Sequence, residues 1–251
     1  RSATYYNREI PGFGSLHDNT LTTSITSIAQ RSNGEIWFAI NNYGVVVKPS
    51  GGGNAFELNR SNTKYIQDDF INAVFESKDK TMWIGSRNGM SIVYPDNTGY
   101  FLTMKEGKND FSNCDIRNIC QDRQGNIWVS TDNEGIIRIS GNPKNIRSLK
   151  YKQYSPKTQL FAINDAQKCM EDKQGRLWAI SNSGGLFLYN KVEDRFEYQN
   201  RKIHLPDVQT FSIEGDAFGN IWVALNKALA YITWKSQDAE DLRNITYFTS
   251  E

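Results

Sequence analysis

The sequence predicts an all-β chain built as a β-propeller of about five four-stranded blades, and three observations carry that prediction. Trp37, Trp83, Trp128, Trp178 and Trp222 stand 46, 45, 50 and 44 residues apart, each inside the same short phrase. A period of this length marks a stack of similar supersecondary units. Each repeat then breaks into short apolar runs bounded by turn residues, which read as strands. Finally, hydrophobic residues make up only 38% of the chain while aromatics reach 12%, a balance that suits many short, half-exposed strands better than buried helices. With the repeat running end to end, residues 1–251 are expected to form one propeller domain or a segment of one.

The first copy of the phrase keeps Ile25, Ile28, Gly34, Ile36 and Trp37. The second keeps Ile71, Val74, Met82 and Trp83 but has Lys80 where a glycine is expected. The third is the clearest: a first strand Ile116 to Gln121, a second Asn126 to Thr131 and a third Gly135 to Ser140. Alternation in its second strand points Ile127 and Val129 one way, Trp128 and Ser130 the other. The turn Asp122-Arg-Gln-Gly125 reads as a hairpin, because Asp can bond turn amides and Gly supplies positive φ. Asp172 with Gly175 and Asp216 with Gly219 repeat it in the fourth and fifth copies. A second glycine follows Trp by six or seven residues (Gly44, Gly89, Gly135, Gly185), and the fifth copy has Ala228 there.

A more variable fourth strand follows at Phe56 to Leu58, Tyr100 to Leu102, Leu149 to Tyr151, Phe196 to Tyr198 and Tyr247-Phe248. Four antiparallel strands per repeat make a propeller blade. Gln237 to Arg243 reads as a turn rather than a helix. Tyr5-Tyr6-Asn7 resembles the fourth strand of a preceding blade. That surplus strand favours a segment of a larger, seven-bladed ring over five blades closing on themselves. All five tryptophans are expected to be blade-core anchors, given their fixed register among apolar residues.

Composition excludes several function classes. Formal net charge is +1, from 29 basic and 28 acidic residues, which leaves no electrostatic footprint for nucleic acid. The local cluster Lys144, Arg147, Lys150 and Lys152 reads as a solvated strand and turn. Three cysteines, Cys114, Cys120 and Cys169, are no disulfide framework, and Cys169 takes the register of Ile28, Val74, Ile119 and Ile213 as a small core residue. No apolar run reaches the ~18 residues of a membrane span. His17 and His204 sit in unrelated loops without metal-ligand spacing, so no metal and no cofactor are expected. Gly51-Gly52-Gly53 reads as a loop between third and fourth strands. Asp68, Asp69, Asp115, Asp165 and Asp207 precede first strands, where each could close a turn. A paired-acid enzyme would need more than that scaffold, and no catalytic residues are assigned.

A ligand is expected on the face carrying the loops between strands two and three and between strands four and one. The opposite face carries the uniform Asp-x-x-Gly hairpins. The candidate ligand residues are Tyr43, Arg87, Asn88, Asp132, Asn133, Phe161, Asn182 and Lys227. Amides and carboxylates bond vicinal hydroxyls, arginine can grip a uronate or sulfate, and an aromatic ring stacks on a sugar's C–H face. Tyr43, Arg87 and Phe161 are the least expected of these in ordinary turns.

These phrases resemble the repeats of the two-component regulator propeller family, whose pattern is Ile-x-x-Ile-x-x-Asp-x-x-Gly-x-Ile-Trp-Ile-Gly-Thr followed by Gly-Gly-Leu and an aromatic strand. Here it stands as Ile116…Asp122…Gly125…Ile127-Trp128-Val129-Ser130-Thr131, as Trp83-Ile84-Gly85-Ser86 and as Gly184-Gly185-Leu186-Phe187-Leu188-Tyr189. The resemblance implies the periplasmic sensor of a hybrid two-component system of gut Bacteroidetes. It implies oligosaccharide sensing and control of the operon that degrades the parent polysaccharide. It also implies a kinase and a membrane helix elsewhere in the polypeptide, with neighbouring blades or a second copy of the chain as partners. The five repeats are fewer than the two seven-bladed propellers typical of that family. A protein-interaction scaffold and, less so, a propeller lyase or glycosidase are the alternatives; the hairpin also resembles the Asp-box turn of sialidases, where it is structural.

Overall fold

The computed structural model describes residues 24–102, 113–157, 163–234 and 242–249. They form five four-stranded antiparallel sheets, each in sequential strand order. Sheet one holds β1 (Ile25–Gln30), β2 (Ile36–Ile40), β3 (Gly44–Lys48) and β4 (Phe56–Leu58). Sheet two holds β5 (Ile71–Glu76), β6 (Met82–Ser86), β7 (Gly89–Val93) and β8 (Gly99–Phe101). Sheet three holds β9 (Ile116–Gln121), β10 (Ile127–Thr131), β11 (Ile136–Ser140) and β12 (Lys150–Tyr154). Sheet four holds β13 (Ala166–Glu171), β14 (Leu177–Ser181), β15 (Leu186–Asn190) and β16 (Arg195–Tyr198). Sheet five holds β17 (Thr210–Gly215), β18 (Ile221–Leu225), β19 (Ala228–Trp234) and β20 (Leu242–Thr249). The chain divides into two compact units, residues 1–116 and 117–251.

Strand positions follow the expected ones closely. The fourth strands differ most: β12 runs from Lys150 to Tyr154 and β20 from Leu242 to Thr249, so both extend well past the short aromatic runs that marked them. Leu242 and Arg243 are therefore strand rather than turn, while the rest of the Gln237 to Arg243 stretch, like Tyr5 to Asn7 and His17, lies outside the described residues. A short α-helix, α1 (Asn200–Ile203), occupies the loop before β17 and ends on His204 in the left-handed region, at φ 56°.

The expected half-exposure of the strands holds at edge strands such as β1, β8 and β12 but fails at the inner ones. Strands β6, β7, β10 and β14 are buried at every residue. Side chains do alternate in direction, but in sheet four both faces are covered, by sheet three and by sheet five. Apolar clusters lie in these seams. Trp37, Ala39 and Val45 of sheet one meet Ile71, Val74 and Met82 of sheet two. Trp128 and Tyr154 of sheet three meet Cys169, Leu177 and Phe196 of sheet four. Trp178 and Ile180 of sheet four meet Ile213, Val223 and Trp234 of sheet five. Polar residues at the ends of these strands thus sit beside a dry core.

The Ile-x-x-Ile spacing of the repeat has a structural cause. On a regular strand, residues three apart point to opposite faces. Here the first strand carries a one-residue bulge. Ile71 pairs with Ser86 and Ala73 with Gly85, leaving Asn72 as the extra residue. Thr26, Gln167 and Phe211 are the extra residues of β1, β13 and β17. The bulge restores parity, so Ile71 and Val74, Ala166 and Cys169, and Thr210 and Ile213 are all buried. Bulged residues also stitch neighbouring sheets: Thr26 Oγ1 donates to the Ile71 carbonyl at 2.6 Å. Asn72 Nδ2 donates to Asp115 Oδ1 and to the Ile116 carbonyl, both at 2.9 Å.

In the hairpins the aspartate does more than close a turn. Asp122 accepts from the Asn126 amide and, at 2.8 Å, from the Trp128 indole Nε1. Asp172 accepts from the Arg176 amide and from Trp178 Nε1, also at 2.8 Å. Trp128 and Trp178 are both buried, and a buried indole N–H requires an acceptor. Sheet two, with no aspartate at that position, uses Ser77 Oγ for Trp83 at 3.0 Å and holds Lys80 at φ 74°. Sheet one uses Glu35 for Trp37 at 3.2 Å. Gly125, Gly175 and Gly219 have φ of 90°, 79° and 86°, as the turn requires.

Trp222 departs from the anchor role expected for it. It is only partly buried and stacks on Tyr231, ring centroids 4.3 Å apart. Tyr231 Oη, not the indole, donates to Asp216 Oδ2 at 2.9 Å. Ile28 is the counterpart in sheet one: it is 59% exposed, whereas Ile119 in the same register is 4% exposed. Within its own unit, among the described residues, neither face is covered by another sheet.

Candidate functional site

In the first three repeats the loops expected to hold a ligand are built around the second glycine. Its amide donates to the loop entering the next first strand: Gly44 to the Asp69 carbonyl at 3.0 Å, Gly89 to Cys114 at 3.1 Å and Gly135 to Asn164 at 2.9 Å. At Gly135, with φ 75°, a Cβ would collide with the carbonyls of Tyr154 and Ile163. Glycine is therefore fixed there by close backbone approach, which sets the two loop classes side by side.

Within residues 1–116 the site is polar with one aromatic platform. Arg87 is exposed, and its guanidinium carbon sits 4.8 Å from the Phe70 ring centroid, a cation–π geometry. The Arg87 amide donates to the Phe70 carbonyl at 3.0 Å, which ties the two loops. Arg87 makes no ion pair among the described residues. Asn88 is committed differently, donating through Nδ2 to the buried Asp68 at 2.9 Å, while Asp68 also accepts from the Phe70 amide at 3.1 Å. Asp69 pairs with Arg60 at 3.1 Å. Tyr43 packs beside Ile40 and Val46 and donates its hydroxyl to Glu57. Burial, then the Glu57 bond and charge, push its phenol well above the ordinary tyrosine range.

Within residues 117–251 most of the candidates also close loops. Asp132 pairs with Arg117 at 3.0 Å, a partner the sequence reading did not single out. Asn182 accepts from Gln209 Nε2 at 2.9 Å, and its amide donates to the Asp165 carbonyl. Asp165 accepts from the Ser181 hydroxyl and from the Ser183 amide. Asn133 lies exposed at a loop tip, and Lys227 occupies a two-residue turn at φ 68°. Asp207 accepts from Tyr198, whose phenol is pushed up to about 12 by burial and by that bond. Phe161 lies outside the described residues. Among the described residues no group of three or more His, Cys, Asp and Glu is arranged to hold a metal.

The chemistry left open to solvent is therefore narrower than the sequence suggested. Most of these loop Asn and Asp residues are spent on groups of the loops and strands around them, as turn residues commonly are. Arg87 over Phe70 is the arrangement that still presents a charge and a flat apolar surface together. The signal for it was present in sequence as two loop residues of neighbouring classes, Phe70 and Arg87, but nothing local paired them.

Residues 110–133, which span β9, its Asp122–Gly125 hairpin and β10, match the two component regulator propeller family. A stretch of 78 residues is 30% identical to Histidine kinase P4 of Formosa agariphila, covering 29% of this chain and 6% of that protein. Among solved structures the chain is similar to extracellular domains of two hybrid two component systems of B. thetaiotaomicron. One aligns with a TM-score of 0.65 and 21% identity over 80% of this chain and 26% of that chain. The other aligns with 0.72 and 16% over 92% and 32%. Virginiamycin B lyase of Staphylococcus aureus is similar at a TM-score of 0.66 and 16% identity, over 92% of this chain and 72% of that one. The chain spans less than a third of the length of the sensor-system proteins it matches. The sheets are β-propeller blades, and the clearest of them carries the two-component regulator propeller repeat.

Proposed function

We propose that this chain is a propeller region of the extracytoplasmic sensor of a hybrid two-component regulator, and that its loop face binds an anionic oligosaccharide. In this reading it does no chemistry itself. A kinase elsewhere in the polypeptide would relay ligand binding to transcription of genes for polysaccharide use. The repeat at residues 110–133 and the likeness to extracellular domains of hybrid systems support the sensor role.

The observation that carries the ligand class is Arg87 lying over Phe70 without an ion pair. A guanidinium fork suits the carboxylate of a uronate or a sulfate ester, and the ring beneath it both orients the fork and offers a stacking surface. Binding signals only if the ligand favours one of two arrangements of the sensor, so affinity for the loops has to differ between them.

Thermal-shift and calorimetric titration against neutral, uronate-containing and sulfated oligosaccharides tests this. An anionic sugar is expected to raise Tm and to be recovered intact. Arg87→Ala is expected to weaken binding about tenfold or more, the scale of one charge-assisted contact. Equal binding of neutral sugars, or an unchanged affinity in Arg87→Ala, removes the assignment of the ligand class. Consumption of the sugar removes the sensor reading in favour of an enzyme.

A further inference from the structure

Two of the three cysteines meet across a seam. Cys120 in β9 and Cys169 in β13 are 49 residues apart in sequence, and their sulfurs lie 3.0 Å apart. Register explains the meeting. Ile119 is buried on one face of β9, so Cys120, the next residue, points to the other face, toward sheet four. Cys169 stands in the register of Ile119 and points back toward sheet three, where its sulfur lies 3.6 Å from the Trp128 carbonyl. Asn118 Oδ1 accepts from the Cys169 amide at 3.2 Å and fixes that strand. Cys169 is buried, Cys120 is partly exposed, and Cys114 is buried elsewhere.

We propose that Cys120 and Cys169 form a reversible disulfide that staples sheet three to sheet four. A sulfur separation of 3.0 Å has to shorten by about 1 Å to reach bonding distance, a change that small rotations of the two side chains supply. Neither sulfur has an aromatic or charged group interposed. The proposal stands on this geometry and does not depend on the sensor reading.

The oxidant is a disulfide of another molecule, either a small one such as oxidised glutathione or a dithiol–disulfide oxidoreductase. Cys120 exchanges first, because it is the less buried residue of the pair. Its sulfur attacks the incoming disulfide, releasing one thiol, which takes the Cys120 proton, and leaving a mixed disulfide on Cys120. Cys169 then attacks the Cys120 sulfur. The mixed disulfide breaks, and the second thiol leaves with the remaining proton. Two protein thiols and one disulfide become one protein disulfide and two thiols.

The test counts free thiols on the unmodified chain. The protein is equilibrated with reduced or oxidised glutathione, quenched in acid, denatured and alkylated, and its intact mass is read. With three cysteines in all, the reduced sample is expected to take three alkyl groups. The oxidised sample is expected to take one, on Cys114, and peptide mapping is expected to join the Cys120 and Cys169 peptides. Because the bond closes a long loop, the oxidised protein is expected to melt roughly 5–10 °C above the reduced protein. Cys114→Ser is expected to keep this shift and Cys120→Ala to abolish it. Three alkyl groups after oxidation, a bond involving Cys114, a stable glutathione adduct on Cys120, or a disulfide-linked dimer each overturns the proposal. Since the first comparison uses the unmodified chain, a variant that fails to fold leaves the test intact.

Discussion

Sheets three and five carry the same hairpin phrase, and their tryptophans meet different fates. Trp128 is sealed between Tyr154, Tyr189 and Phe196, with ring centroids 5.5, 4.9 and 5.8 Å away, and its indole N–H is held by Asp122. Trp222 lies on Tyr231 and near Phe248, and its aspartate has been taken by the tyrosine. Between them the phrase is unchanged: Asp, three residues to Gly, three more to Trp. What differs is the neighbour. Sheet four supplies Tyr189 and Phe196, which with Tyr154 of sheet three itself bury Trp128, and within the described part of residues 117–251 no sheet lies on the corresponding face of sheet five. The motif therefore encodes a side chain ready for a seam, and the seam itself is encoded one repeat further along the chain.

If that is right, removing the two rings has unequal cost. Trp128→Ala empties a cavity in a closed seam and is expected to destabilise the protein by about 3–5 kcal/mol. Trp222→Ala removes a partly exposed ring, and about 1–2 kcal/mol is expected from the smaller area uncovered. Urea denaturation of both variants measures the difference. Equal losses would mean that Trp222 has a covered environment in solution, and the contrast between the sheets would fall.

A smaller effect separates the aspartates. Asp122→Ala orphans the Trp128 indole N–H and the Asn126 groups in a buried site, with an expected cost of about 2–3 kcal/mol. Asp216 also accepts several bonds. Burial pushes its carboxyl up, but bonding from Asn220, Tyr231 and the Phe218 amide outweighs this and holds it below the usual carboxylate range. Its partners are partly exposed, so water can replace them, and Asp216→Ala is expected to cost about 1 kcal/mol. The discriminating readout is the ultraviolet signal of the indole: Asp122→Ala is expected to shift it and Asp216→Ala to leave it unchanged. A shift in the Asp216 variant would show that Trp222 depends on that carboxylate after all.

These contrasts mark what the sequence could reveal. Repeat period, strand positions and the turn role of Gly125, Gly175 and Gly219 were legible, because each depends on residues close together in the chain. The bulge at Thr26, Asn72, Gln167 and Phe211 was not, since an Ile-x-x-Ile spacing by itself contradicts strand alternation and gives no hint of how parity is restored. The indole bond to Asp122 hid behind a turn role that the same residue also performs. On the loop face the limits were sharper. Asn88 and Asn182 have the composition of sugar-binding residues, but Asp68 and Gln209 engage them from loops at least twenty residues away. Among the described candidates Arg87 over Phe70 keeps a charge and an aromatic surface open together, and no local pattern distinguishes it.

The weakest effect expected concerns the polar rim of the Trp128 cage, for which Trp222 has no equivalent. Asp194, at φ 50° between β15 and β16, accepts from Tyr154 Oη at 2.7 Å, from Tyr189 and from Lys152, and pairs with Arg138 at 3.4 Å. Burial would raise its carboxyl, but bonds from Lys152, Tyr189 and Tyr154 and the charge of Arg138 overcome this and lower it from 3.8 to about 2. A carboxylate whose folded value is depressed adds stability that is complete above its unfolded value and is lost as pH falls through the folded one. The contribution of Asp194 is therefore present above pH 4 and fades between about pH 4 and pH 2. The rim is partly solvated and its ion pairs are screened, so the gain is small, and the comparison rests on its pH dependence. Midpoints of the wild type and Asp194→Asn are expected to differ at neutral pH and to converge as pH falls through that window. A gap that stays constant across it would mean that Asp194 acts through its loop conformation, and that the cage over Trp128 owes nothing to a charged rim.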